Sequence, residues 1–402
     1  MDLKNDITKY YLYSFFRFFI VHVPIWILYW QNFLSLTQIM IMYIAYFGIG
    51  IVFEIPSGAF ADLFGRRKAL FYGTLLYLIG VTGFILSPII GSITGFYFIW
   101  FLISEIISGI GHALESGADT AYLYDTLKSQ NRENEFQKNK GYSHSVSMVS
   151  VAIASFAGSL IANYGLDKPF YFTLIATTIA ILVTFSMNEP KHFKKQKTTN
   201  YWQHQKENFI FTLKHKEVRW LSLYYGLMFA LSLIGFTFFF QLYLQHLNIS
   251  LNYFSLIYPS VLLFGALASA YSSKIEKFFG EKVTTFSLPL ILAASFILMS
   301  LTNAAWGIIF MFLIEAIFSL VIPINDYYMN THLKSKQRAT VLSVRNFFAA
   351  LAFIIFSPII GYFGDHVSIE SSLLVTGLIT LGAFVLLVLT KNKNSMLSSS
   401  IN

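Results

Sequence analysis

Several acids in this chain lie inside long apolar runs. Glu105, Glu115 and Asp119, with His112 among them, occupy FLISEIISGIGHALESGADTAYLYD at 101–125, and Glu315 and Asp326 occupy a second such run. Arg17 and His22, Glu54, His144 and Arg345 complete the set. An ionisable side chain in the middle of a bilayer costs several kcal/mol, so these groups mark substrate paths or proton relays by default. On one continuous helix, Glu105, His112 and Asp119 recur every seventh residue and share a face, with Glu115 beside them. The rival assignment for each acid is a structural ion pair. It weighs more for Asp119, Glu115 and Asp326, nearer the inner ends of their spans, than for Glu105 and Glu315. Arg17 and Arg345 read as counter-ions that neutralise these acids, Glu54 as a cavity acid or a partner for the bases that follow it, and the lone histidines 22 and 144 as satisfied core residues. A metal cage fails on length: Glu105 and Asp119 are about 20 Å apart along a helix at 1.5 Å per residue.

The elements that carry these groups follow from hydropathy. Of the 402 residues, 55% are hydrophobic and 12% charged, and mean hydropathy is +0.60. A soluble core cannot absorb so much apolar surface, so lipid is the solvent for most of the chain. Stretches of roughly 20 apolar residues predict twelve spans: 10–30, 36–61, 69–89, 95–124, 141–163, 169–187, 217–246, 251–273, 283–302, 305–331, 340–362 and 369–390. The first is too long for a cleavable signal and reads as a retained span. The absence of cysteine excludes disulfides, thiolate metal sites and thiol catalysis. No nucleophile elbow, HExxH or phosphate-cradling loop is present, which argues against an enzyme. No cofactor is implied.

With the N-terminus inside, 25 of the 28 Lys and Arg fall on inner segments. That bias predicts cytoplasmic N- and C-termini in the cell membrane. The longest polar segment, 188–216, separates an N-terminal six-span bundle (1–187) from a C-terminal one (217–402). Its bases suit anionic lipid headgroups rather than nucleic acid. The halves echo each other: LKSQNR at 127–132 returns as LKSKQR at 333–338, FGRRK at 64–68 as FGEK at 279–282, and GSLIANYG at 158–165 as SPIIGYFG at 357–364. The expected fold is an all-α polytopic membrane protein of two pseudo-symmetric six-helix bundles. Repeated halves point to a transporter with a site near the midplane.

One loop concentrates charge: SGAFADLFGRRKAL at 57–70. Gly58 is expected to let helices approach closely, and Gly65 to permit the tight turn. Asp62 is expected to face the start of the eleventh span near Ala339 to Ser343, whose free amides attract negative charge. Arg66, Arg67 and Lys68 are expected to sit at lipid headgroups, with one arginine pairing with an acid such as Asp125. Plain positive-inside anchoring is the rival to a gating role. The run from Gly58 to Lys68 resembles the loop between the second and third spans of the major facilitator superfamily. The resemblance extends to span count, central loop and repeat. It implies alternating access, a cavity lined by spans one, four, seven and ten, and a monomer. EIPSG at 54–58 and ESGADTAYLYDTLK at 115–128 look like a bacterial branch of multidrug or metabolite efflux permeases. Drug/proton antiporters of the family often carry Arg in span four and Gly-Pro in span five. Here Glu105 stands at the first position, and SFAGSLIA at 155–162 has no Gly-Pro. The expected function is proton-coupled export of a cationic or zwitterionic small molecule. The alternatives are a specific carrier of one metabolite or siderophore and, remotely, a receptor or enzyme on the same scaffold.

Overall fold

The computed structural model describes residues 4–190, 212–331 and 338–390. Within these, the side chains of Glu54, Ala339, Thr340, Leu342 and Ser343 are among those left out. In chain order run α1 (Lys4–Arg17), α2 (Trp26–Trp30), α3 (Leu36–Phe64), α4 (Arg66–Thr94), α5 (Tyr97–Glu115), α6 (Ala118–Ser129), α7 (Phe136–Ile161) and α8 (Lys168–Ser186). Then come α9 (Lys216–Ile234), a π-turn at Gly235–Phe239, α10 (Phe240–His246), α11 (Leu251–Ala270), α12 (Ser272–Leu301), α13 (Ile308–Thr331), α14 (Arg338–His366) and α15 (Ile369–Thr390). Joined across their breaks they make twelve spans. Eleven are long and apolar enough to cross a membrane, among the described residues. The twelfth is the pair α1 and α2.

That first span is broken rather than continuous. Pro24 lacks an amide proton and clashes with the carbonyl four residues back, which ends a helix. Non-helical backbone at membrane depth must be satisfied by protein. Here Thr173 Oγ1 of α8 accepts from the Val21 amide at 2.9 Å, and Ser150 Oγ of α7 donates to Phe15 O at 2.5 Å. Gly158 of α7 makes room for the unwound strand: a Cβ there would lie 1.8 Å from Val21 O.

The fourth span also breaks. Gly117 sits at φ +76, a conformation that side chains on L-residues avoid, and it separates α5 from α6. The expectation that Glu105, His112 and Asp119 share one helical face is therefore corrected. Asp119 lies in the first turn of a new helix.

Close helix contacts use small residues, which let backbones approach in a membrane where no hydrophobic force drives helices together. On α4 and α5, a Cβ at Gly73 would lie 2.7 Å from Gly111 O, and one at Gly111 would lie 2.6 Å from Gly73 O. Gly80 abuts Ser108 of α5 in the same way.

The chain divides into two compact units: Met1–Leu34 with Ile41–Gln196 and Ser250–Pro259, and Ser35–Met40 with Lys197–Ile249 and Ser260–Asn402. The first has a core at one end where Tyr10, Leu70, Tyr122 and Leu123 are buried together. In the second, Asp365 caps the first turn of α3, accepting from the Leu36 and Thr37 amides at 2.6 and 2.8 Å. Most of the 188–216 segment, with its expected lipid contacts, lies outside the described residues.

The FGRRK and FGEK echo has a backbone counterpart. Gly65 precedes α4 at φ +108, ψ 154, and Gly280 kinks α12 at φ +77, ψ 162. The two sequences place a positive-φ glycine at corresponding points of the repeat.

Candidate functional site

The broken first span brings its unwound residues together with α3, α4, α5, α6 and α7 around a cavity of about 690 Å³ in the first unit. Arg17, Glu105, Glu115 and Asp119 all line it, as do His22, His112 and His144. Its walls are aromatic. Trp26 stacks on Tyr43 with centroids 5.0 Å apart, and Tyr46 stacks on His112 at 5.7 Å.

The four charged residues are not equivalent. Arg17 Nε donates to both Glu115 oxygens, at 2.8 and 2.7 Å, and its guanidinium carbon lies 3.9 Å from the centre of the Tyr77 ring. Tyr13 OH donates to Glu115 Oε1 at 3.2 Å, and Thr74 Oγ1 lies 2.7 Å from the same oxygen. Glu115 is thus neutralised and saturated. Asp119 Oδ2 accepts from Lys140 Nζ at 3.0 Å in a pair that is about one-third exposed on both sides. Glu105 differs from both: it is 6% exposed, and among the described residues its carboxylate has no hydrogen bond or ion pair.

The second unit also pairs an arginine with an acid, on spans that are not the equivalents of those in the first. Arg345 of α14 pairs through Nη1 with Asp326 of α13 and donates to Asn325 Oδ1 at 3.2 Å, while its guanidinium lies 3.8 Å above the Tyr225 ring. Glu315 of α13 is 4% exposed. Its Oε1 accepts from Ser319 Oγ at 3.0 Å, and its buried Oε2 has no partner among the described residues. Gly265 of α11 leaves it space: a Cβ there would lie 2.6 Å from Oε1.

The charged loop is tied inside the first unit. Arg66 bridges Asp62 at 2.6 Å and Asp125 at 3.5 Å. Arg67 Nη1 donates to Met187 O at 3.1 Å. Of the three bases expected at lipid headgroups only Lys68 is exposed, and the arginine that reaches Asp125 is Arg66. Glu189, which the sequence reading did not single out, accepts from the Arg66 amide at 2.5 Å and the Arg67 amide at 3.1 Å, so it caps α4. A side chain at Gly65 would strike that carboxylate. Gly58 makes no close approach: it is exposed on α3, and no heavy atom of the described residues lies within 4 Å of where its Cβ would be. The side chain of Glu54 lies outside the described residues, as does most of the stretch expected to face Asp62.

The site elements that sequence reading missed are the breaks at 18–25 and Gly117 and the aromatic walls. Pro24 within an apolar run was the available signal for the first.

The family model described as Major Facilitator Superfamily matches residues 10–356. "Multidrug resistance protein 2" of Bacillus subtilis is 28% identical over 248 residues, and the chain spans only 58% of that relative's length. An uncharacterised transporter of Buchnera aphidicola is 30% identical over 174 residues, 40% of this chain and 38% of the relative. Among solved structures, a mutant nucleoside transporter aligns with a TM-score of 0.76 at 12% identity, over 96% of this chain and 100% of that one. A D-xylose–proton symporter aligns with a TM-score of 0.69 at 14% identity, over 94% and 95%. At those identities the structures speak for the fold alone. With the family model matched over most of its length and with these neighbours in fold, the chain belongs to the Major Facilitator Superfamily.

Proposed function

We propose that the protein is a secondary active transporter that works by alternating access, exporting a small organic cation in exchange for protons. The observation that carries this reading is the contrast between Glu115 and Glu105. The first is consumed by Arg17, while the second is buried and, among the described residues, without a partner in a cavity walled by Trp26, Tyr43, Tyr46 and Tyr77. An unpaired carboxylate deprived of water is costly. Either a proton or a bound cation relieves that cost, so the two compete for one group. Aromatic faces add attraction for a desolvated organic cation. The multidrug name of the Bacillus subtilis relative agrees with this class of substrate. The charged loop, with Arg66 between Asp62 and Asp125, is the proposed inner gate.

The test uses protein in liposomes loaded with a pH-sensitive dye, challenged with lipophilic cations. Wild type is expected to move protons when substrate is added, and Glu105→Gln to abolish that movement while the protein stays folded. Saturable uptake without proton movement would replace this reading with a specific carrier that is not proton-coupled.

A further inference from the structure

His22 sits in the break of the first span, at the cavity wall. Its ring stacks face to face on Phe170 of α8, with centroids 4.3 Å apart and planes 5° from parallel. Nδ1 lies 3.0 Å from Thr173 Oγ1. That hydroxyl has two other neighbours: the Val21 amide at 2.9 Å and Pro169 O at 3.1 Å.

The tautomer follows from counting donors. A hydroxyl has one proton to give and two lone pairs to receive with. Pro169 O can only accept, so it takes the hydroxyl proton. The Val21 amide can only donate, so it takes one lone pair. All three contacts are hydrogen bonds only if Nδ1 carries the imidazole proton and donates into the second lone pair. A neutral imidazole protonated at Nδ1 has its free lone pair on Nε2. His22 is 9% exposed, and among the described residues nothing hydrogen-bonds to Nε2. The ring is held in place by Phe170 and Thr173, with an acceptor left over on a residue that lines a cavity holding three acids, Glu105, Glu115 and Asp119, against two bases, Arg17 and Lys140.

We infer that His22 Nε2 is a substrate-binding acceptor that selects cations carrying an N–H donor over cations of similar size that carry none. This rests on the cation-export reading and deepens it. Charge and aromatic surface do not distinguish the two kinds of cation. A buried acceptor left unmatched does, because its lost hydrogen bond to water is not replaced.

Two rhodamine dyes make the comparison. Rhodamine 6G has secondary-amine N–H groups on its delocalised cation, whereas tetramethylrhodamine ethyl ester has none. Fluorescence polarisation with purified full-length protein is expected to show rhodamine 6G binding roughly tenfold more tightly. His22→Phe, which keeps an aromatic ring against Phe170, is expected to bring rhodamine 6G down to the level of the ester dye. His22→Gln, with an amide oxygen able to accept, is expected to keep part of the preference. A preference that survives His22→Phe, or the absence of any preference in wild type, overturns the inference and leaves cation export standing. In ¹⁵N-histidine-labelled protein, long-range ¹⁵N–¹H correlation is expected to show Nε2 unprotonated. A proton on Nε2 overturns the inference even if neither dye binds, whereas loss of binding for both dyes counts against the cation reading.

Discussion

Arg17 is spent on Glu115 and leaves Glu105 without an ion pair among the described residues. The pair is enclosed, with side chains 6% and 9% exposed, and Tyr77 covers the guanidinium. Removing one partner of such a pair strands the other charge and costs about 3–5 kcal/mol. Lys140 and Asp119 share a far more solvated site, where an ion pair contributes about 0–1 kcal/mol. Glu115→Gln is therefore expected to lower the thermal unfolding midpoint in detergent markedly, and Asp119→Asn to leave it nearly unchanged. Equal shifts, or a larger one for Asp119→Asn, would contradict the assignment of Arg17 to Glu115. Glu105, with no such partner among the described residues, is the acid on which the proposed proton exchange rests.

At the level of elements, the helices meet where glycine permits and break where glycine or proline demands. Gly73 of α4 faces the backbone of α5 at a distance that excludes even a methyl group, while Gly58 of α3 has open space around it. Overpacking of this kind costs about 1–3 kcal/mol. Gly73→Ala is expected to destabilise the purified protein in thermal unfolding and Gly58→Ala to have little effect, and the reverse order would refute the packing. Gly158→Ala is more severe, because its methyl would meet Val21 O, and it is expected to displace the unwound residues that carry His22. A loss of dye binding with retained folding would report that displacement, whereas intact binding would show that the break does not depend on Gly158. The spans themselves were legible in the sequence because lipid demands a long apolar run for each, and α3, α8 and α15 start and end within a few residues of the expected limits. The breaks were not, because hydropathy is blind to them. FFIVHVPI at 18–25 is as apolar as a helix there would be, and only Pro24 hinted otherwise. Glu189 was illegible for another reason: its role exists only once the end of α8 has been folded back onto the start of α4. The acids of the cavity could be found by their cost in a membrane. Which of them were neutralised could not, since that needs Arg17 set against Glu115 rather than Glu105.

Across the whole molecule the two units use similar charged groups on non-equivalent spans. Each holds an arginine over a tyrosine ring and paired with an acid, Arg17 with Glu115 and Arg345 with Asp326, and each holds one further buried glutamate, Glu105 or Glu315. Surface charge is distributed by a different rule. Nearly all lysines and arginines fall on one side of the expected layout, and Lys168 is the exception, at the start of α8 beside Asp167. Basic residues resist translocation, so this asymmetry predicts which side faces the cytoplasm. The turns that flank α7 are exposed at Asn134 and Tyr164, and the chain has no cysteine to confuse labelling. Tyr164→Cys is expected to react with a membrane-impermeant maleimide in intact cells. Asn134→Cys is expected to react only after the membrane is permeabilised. The opposite pattern would invert the orientation, place the Arg66 loop outside, and remove it as an inner gate. Reaction of both in intact cells would mean that α7 does not cross the membrane at all, against a helix whose apolar length is sufficient to span it.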